Sequence, residues 1–351
     1  MAPLWEIEQF CIKTNNSSEV CDTLFANGQM QVPLDVSIRA VKGTETYKLT
    51  DAELDTIKIV YYNNTTKELG FGFSKGWYCM VKENEYLHTL DTTSSVASSN
   101  PDQTVQVKRF WVSTKKKETA DFAARVLQPD IGEDGEVTQM KITTSFASFN
   151  SHVTLTGISP INYTTDNITI TTEDTSSGTY QWDVDDNGKC QKEEKWTQKT
   201  WYLSTSNYPL HKWTAWDVEL DQWGGTVELR HCYAYRTHSN NLKLFFAWNK
   251  GDEFSRNVGV EVSHMDGKNR TAKAWAGIKV NRKKNAVCLC RVNFDSSAGI
   301  WGAEWDFPSC FITLWDVYGN YGVIGASYSE DRDSVVVKNT EGKSKGRTWY
   351  T

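Results

Sequence analysis

No stretch of the 351-residue chain stays apolar for the roughly 18 positions that a membrane-crossing helix needs. A soluble protein without a transmembrane segment is therefore expected. The amino terminus, Met1-Ala-Pro-Leu-Trp-Glu-Ile-Glu, lacks the basic start and apolar centre of a secretory signal. That points to cytoplasmic synthesis without a signal peptide, and to an unconventional route for any release. No CxxC pair occurs, and the eight cysteines (Cys11, Cys21, Cys79, Cys190, Cys232, Cys288, Cys290, Cys310) are too sparse for a disulfide scaffold. They are expected to be mostly reduced. The six histidines form no HxH or HExxH group, which removes the common zinc spacings. An excess of positive charge is missing too. The formal charge of −6 argues against a nucleic-acid partner, because affinity for phosphate backbones comes from concentrated positive surface.

Helical periodicity is nearly absent, and alternation with period two takes its place. From Val32 to Ala40, Val32, Leu34, Val36, Ile38 and Ala40 fall on one face, with Asp35, Ser37 and Arg39 on the other. This is the pattern of a half-buried strand, and Pro33 suggests that it lies at a sheet edge. The one clear helix start is Thr50-Asp-Ala-Glu53, a capping box that opens a turn or two at most. The fold class is all-β, with two or three β-sandwich, immunoglobulin-like domains in tandem. A Ser/Thr/Asn-rich stretch from Asp91 to Asp102 is the best linker, and most of the 15 tryptophans follow residue 195. The expected domains are therefore 1–97, 98–188 and a Trp-rich 189–351.

Two segments resemble the immunoglobulin-like repeats of bacterial invasins and adhesins. One runs from Leu24 through Ala26-Asn27-Gly28 to Ile38, a turn leading into an alternating strand; the other is Asp316-Val-Tyr-Gly-Asn320. The resemblance implies sandwich architecture and assigns no activity.

Asp183-Val-Asp185-Asp-Asn187-Gly-Lys189-Cys-Gln191-Lys-Glu-Glu194 fits the calcium-loop pattern. Asp183, Asp185 and Asn187 would supply side-chain oxygens, Lys189 its carbonyl, Gln191 an oxygen directly or through water, and Glu194 both carboxylate oxygens. The competing reading is an acidic turn. Gly72-Phe-Ser74-Lys-Gly76 matches the nucleophile elbow of serine hydrolases, but Trp77-Tyr-Cys-Met-Val follows as a strand where the elbow needs a helix. A hairpin turn is the better reading. Cys288 and Cys290 share a strand face with Ala286, Val292 and Phe294, which favours a core position over a metal site.

The tryptophans carry the functional expectation. Trp213 falls by alternation on the face of His211, Asp217 and Glu219, and Trp275 on that of Lys273 and Lys279, opposite Ala274, Ala276 and Ile278. Both rings are expected at the surface unless another part of the chain covers them. Trp301 and Glu304 lie in an irregular aromatic segment, Gly299 to Pro308, of the kind that carries binding function. An indole beside carboxylates or amines suits a sugar ring or a protein interface. The leading expectation is a non-catalytic, lectin-like or toxin-like protein that recognises a glycan or protein receptor through its Trp-rich carboxy-terminal domain. Self-assembly into a homo-oligomer or filament is the second. A pore former, with Ile142 to Ile158 as the inserting stretch, is the third. An enzyme remains open only through carboxylate pairs such as Asp217 and Glu219.

Overall fold

The computed structural model describes residues 2–72, 76–90, 104–131, 136–146, 148–184, 190–216, 231–238, 240–252, 254–262, 271–297, 301 and 309–340. The chain is all-β and divides into two compact units, Met1–Ile161 with Tyr318–Asn320, and Asn162–Val317 with Tyr321–Thr351.

The first unit contains β1 (Ala2–Pro3), β2 (Glu6–Thr14), β3 (Cys21–Phe25), β4 (Val32–Lys42), β5 (Glu45–Tyr47), α1 (Asp51–Leu54), β6 (Lys58–Tyr61) and β7 (Asn64–Glu68). These are followed by β8 (Gly70–Phe71), β9 (Trp77–Met80), β10 (Gln106–Thr114), β11 (Thr119–Ile131), β12 (Val137–Thr143) and β13 (Val153–Ile158). They build a seven-stranded sheet ordered β3-β13-β11-β6-β7, with β1 and β12 beside β11, and a six-stranded sheet ordered β2-β4-β10-β9-β8, with β5 beside β4. The sheets meet through their apolar faces. Trp77 of β9, for example, packs edge-on against Phe122 of β11 at 5.2 Å.

The alternation in β4 is borne out: Val32, Leu34, Val36, Ile38 and Ala40 are buried and Asp35, Ser37 and Arg39 half-buried. Its position is not. The strand lies between β2 and β10, so the edge expected from Pro33 is corrected. Pro33 stands opposite Trp111 of β10 on one side and one residue beyond the last pair with β2, Thr14–Leu34, on the other, so on the β2 side no strand calls for its missing N–H. The capping box forms as read, with the Glu53 N–H donating to Thr50 Oγ1 and the Thr50 N–H to Glu53 Oε2.

Strands β10 and β4 pair over seven positions, so residues from 106 onward complete the first sandwich rather than starting a second. The unit boundary falls at 161/162, differing from the expected 97/98 and 188/189. Non-local pairing decides it, and composition does not report pairing. The stretch 91–103, which holds the 97/98 boundary, is outside the described residues.

The second unit contains β14 (Asn162–Tyr163), a 3₁₀ turn (Thr165–Asn167), β15 (Ile168–Val184), β16 (Cys190–Thr205), β17 (Leu210–Trp216), β18 (Cys232–His238) and β19 (Asn241–Trp248). Then come β20 (Ser255–Val262), β21 (Thr271–Lys279), β22 (Val287–Asp295), β23 (Ser309–Asp316), β24 (Tyr321–Tyr328) and β25 (Val335–Asn339). A seven-stranded sheet runs β18-β19-β22-β16-β15-β21-β20, and a five-stranded sheet runs β14-β24-β23-β17 with β25 beside β24.

The long sheet bends over on itself. Leu242, Leu244 and Phe246 of β19 share one buried cluster with Val258 and Val260 of β20 and Ala274, Ala276 and Ile278 of β21. In a flat sheet β19 and β21 would stand about 19 Å apart, four strand spacings, too far for side chains to touch. Register shifts in β15 at Asp174/Ser176 and Gln181/Val184 supply the bend. Inside it, the Gln198 carboxamide accepts from the Lys279 N–H at 3.0 Å and donates to the Lys279 carbonyl at 2.6 Å. A side chain thus satisfies the pair of groups that a neighbouring strand would otherwise take. Gln106 does the same for Leu49 in the first unit, accepting at 2.8 Å and donating at 3.0 Å.

Candidate functional site

Of the tryptophans expected at the surface, only Trp275 is outward. In β21, Ala274, Ala276 and Ile278 are buried, Lys273, Gly277 and Lys279 are exposed, and Trp275 between them is half-buried. Its face is the one that alternation assigns. Gly259 of β20 lies directly opposite Trp275, Asn257 opposite Gly277, and Gln181 of β15 opposite Lys273. Asn257 and Gln181 are exposed. Gly259 has no alternative residue: its φ is +156°, and a Cβ there would lie 1.9 Å from the Ala274 carbonyl oxygen. At Gly277 a Cβ would meet nothing within 4 Å. The indole therefore stands on the outer sheet face, across from the buried backbone of Gly259 and two residues from the exposed backbone of Gly277, ringed by carboxamides and amines. The sequence reading missed the two glycines and the carboxamides. Glycines inside an alternating strand were the available signal.

Trp213 is corrected. It is 5% exposed, and its Nε1–H donates to the Trp248 carbonyl oxygen at 2.9 Å. The cause is a register shift between Leu210 and Lys212: Leu210 pairs with Asp316 and Lys212 with Trp315, leaving His211 as an extra residue. Beyond that bulge the inward set becomes Trp213 and Ala215, while Trp216 is half-buried and donates to Thr313 Oγ1 at 3.0 Å. Trp301 is corrected as well. It is 3% exposed and belongs to the buried cluster beside Tyr180, ring centres 6.4 Å apart. Asp217, Glu219 and Glu304 are outside the described residues.

The calcium-loop segment forms a hairpin. Val184 pairs with Cys190, placing the backbones of Asp183 and Gln191 in β15 and β16, and Asp185, Asn187 and Lys189 lie outside the described residues. Glu194 sits opposite Tyr180, four residues or about 13 Å along the strand from Cys190. Its Oε1 accepts from the Ser297 N–H at 3.1 Å and from the Ser297 hydroxyl.

Ser74 is outside the described residues, and the hairpin expected around it is corrected: β8 and β9 pair in parallel, Gly70 with Tyr78 and Phe71 with Cys79. Cys288 and Cys290 take the core positions read for them. Both are fully buried, Cys290 Sγ accepts from Trp248 Nε1 at 3.2 Å, and burial pushes the Cys288 thiol up to about 12. Among the described residues no three His, Cys, Asp or Glu side chains gather closely enough to hold a metal ion. The stretch considered for membrane insertion belongs to the first sandwich. Its second half is β13, hydrogen-bonded to β11 and β3, with Val153 and Leu155 in the core, so its alternation is that of a half-buried strand.

No protein-family model and no curated protein matches the chain. Solved structures similar to it include two streptococcal domains of the antigen I/II kind. The C-terminal domain of the Streptococcus agalactiae AgI/II polypeptide BspA is 10% identical with a TM-score of 0.21, over 94% of this chain and 100% of that one. The C-terminal domain of the Streptococcus pyogenes antigen I/II-family protein AspA is 8% identical with a TM-score of 0.19, over 95% of this chain and 99% of that one. At those scores no residue, ligand or role carries across.

Proposed function

We propose that the protein is a non-catalytic binding protein that engages a surface partner through the outer face of β21. The observation that supports this most is the placement of Trp275: a half-buried indole turned away from a core that its neighbours Ala274 and Ala276 fill. Aromatic rings so placed are the anchors of recognition surfaces, because they bury large area at small cost in side-chain entropy. The test is adhesion of the labelled protein to candidate target cells. Trp275→Ala should weaken it about tenfold with the circular dichroism unchanged. Adhesion that is equal in the two proteins removes this face from the reading.

A second reading, self-assembly, is favoured by β12. Among the described residues this strand pairs with β11 alone, residues 137–141 are all exposed, and Val137 and Met140 are 63% and 43% accessible. An edge strand open on both faces is a template for another strand. Light scattering across a concentration series should then show association that Met140→Lys suppresses. A monomer at every concentration ends this reading.

A further inference from the structure

We propose that the outer face of β21 takes a pyranose ring, stacked on the Trp275 indole and lying over the exposed backbone of Gly277; this inference rests on the binding role assigned above to the same face. In an ordinary strand pair the residue directly opposite raises its Cβ about 5 Å from that of the ring-bearing residue, and the residue two along flanks the ring at about 7 Å. Here both positions are glycine. Two glycines in adjoining strands weaken a sheet, since they forfeit side-chain packing and raise the entropy lost on folding. Gly259 is explained by its backbone, which lies too close to Ala274 for any side chain. Gly277 is not. It has open space where a Cβ would stand and a φ outside the left-handed range, so sterics within the chain permit any residue there. What the glycine preserves is access to the flank of the indole.

The cleared patch runs from the indole over the exposed backbone of Gly277, two residues or about 6.6 Å along the strand. Its floor is aromatic and apolar, which suits the C–H face of a pyranose. Its rim carries the exposed carboxamides of Asn257 and Gln181 and the amines of Lys273 and Lys279. A carboxamide donates and accepts at once, as a sugar hydroxyl does, so each pairs with a hydroxyl in either role. A flat protein partner would need side chains beside the indole to interlock with, and Gly277 offers none.

The experiment uses the full chain on an array of immobilised neutral, acidic and N-acetylated glycans, with Trp275→Ala and Gly277→Val in parallel, and the cell-adhesion assay as a second readout. The expected result is a signal on a pyranose-bearing subset that falls about tenfold in each variant. Gly277→Val should keep or raise the thermal midpoint, because valine favours a strand and finds room there. Array signal that survives both substitutions overturns the proposal. A silent array with adhesion that Trp275→Ala abolishes overturns the sugar and leaves the binding face standing, whereas a silent array without adhesion overturns both.

Discussion

The Asn27 carboxamide donates to the Tyr318 carbonyl and to Asn320 Oδ1, each at 3.0 Å, while its own oxygen accepts from the N–H groups of Gln29 and Met30 at 2.8 and 2.9 Å. Two of these four hydrogen bonds close the Asn-Gly turn, and the other two join it to a segment nearly 300 residues away, within the first unit. Asn27→Ala should cost this unit about 2–4 kcal/mol, because it leaves the fully buried Asn320 short of a donor. Asn27→Asp keeps the acceptor for Gln29 and Met30 but sets a carboxylate oxygen against the Tyr318 carbonyl and Asn320 Oδ1, so it should cost at least as much. Urea unfolding of the two variants measures the difference.

Gln198 closes the bend of the long sheet through the Lys279 backbone. Gln198→Leu keeps the bulk and removes both bonds, leaving a backbone donor and acceptor without their partner. A loss of about 2–4 kcal/mol is expected. Amide exchange should rise in β20 and β21 before it rises in β22, since only the former depend on the bend.

Thiol chemistry should divide the cysteines by depth. Burial raises the thiols of Cys79 to about 11 and of Cys232 and Cys288 to about 12, so almost none is thiolate at neutral pH. Cys21 is exposed and Cys11 half-buried. Iodoacetamide on the folded protein followed by mass spectrometry should mark Cys21 first and Cys11 second. Cys79, Cys232, Cys288, Cys290 and Cys310 should react only after unfolding.

Acid should act on the capping box. Burial alone would raise the Glu53 carboxyl, but hydrogen bonds from Thr50, Trp5 and Tyr47 outweigh it and hold the group below its ordinary 4.5. A depressed folded value means that the carboxylate contributes stability above 4.5 and loses it as the pH falls through the folded value. Stability should therefore decline on acidification in that range. Glu53→Gln should lower stability at neutral pH and flatten the acid limb. Urea midpoints across the acid range check both.

Much of the fold was legible because alternation reports burial one strand at a time. The face of β4, the Thr50–Glu53 cap and the core placement of Cys288 and Cys290 all depend on neighbours within a few residues. The partners of a strand do not. Nothing local to Pro33 reveals that β10 comes to lie beside it, and nothing in residues 106–114 reveals that they complete the first sandwich. The site was half legible for the same reason. Trp275 sits in an uninterrupted strand, so counting in twos places it correctly, whereas Trp213 follows an extra residue and Trp301 lies where there is no period to count. The Asn-Gly turn and the Gly-Asn turn were each recognisable alone, and their mutual hydrogen bonds were not.

The bulge at His211 has a consequence for how this chain tolerates change in length. Deleting that one residue would leave every pair with β23 in place and set Leu210, Trp213 and Ala215 in unbroken alternation on the inward face, so the strand would lose its bulge and keep its faces. Deleting Thr214 instead, where there is no extra residue to absorb the loss, would send Ala215 outward and the Trp216 indole inward. A single-codon deletion at His211 should therefore be tolerated far better than one a few residues further along the same strand.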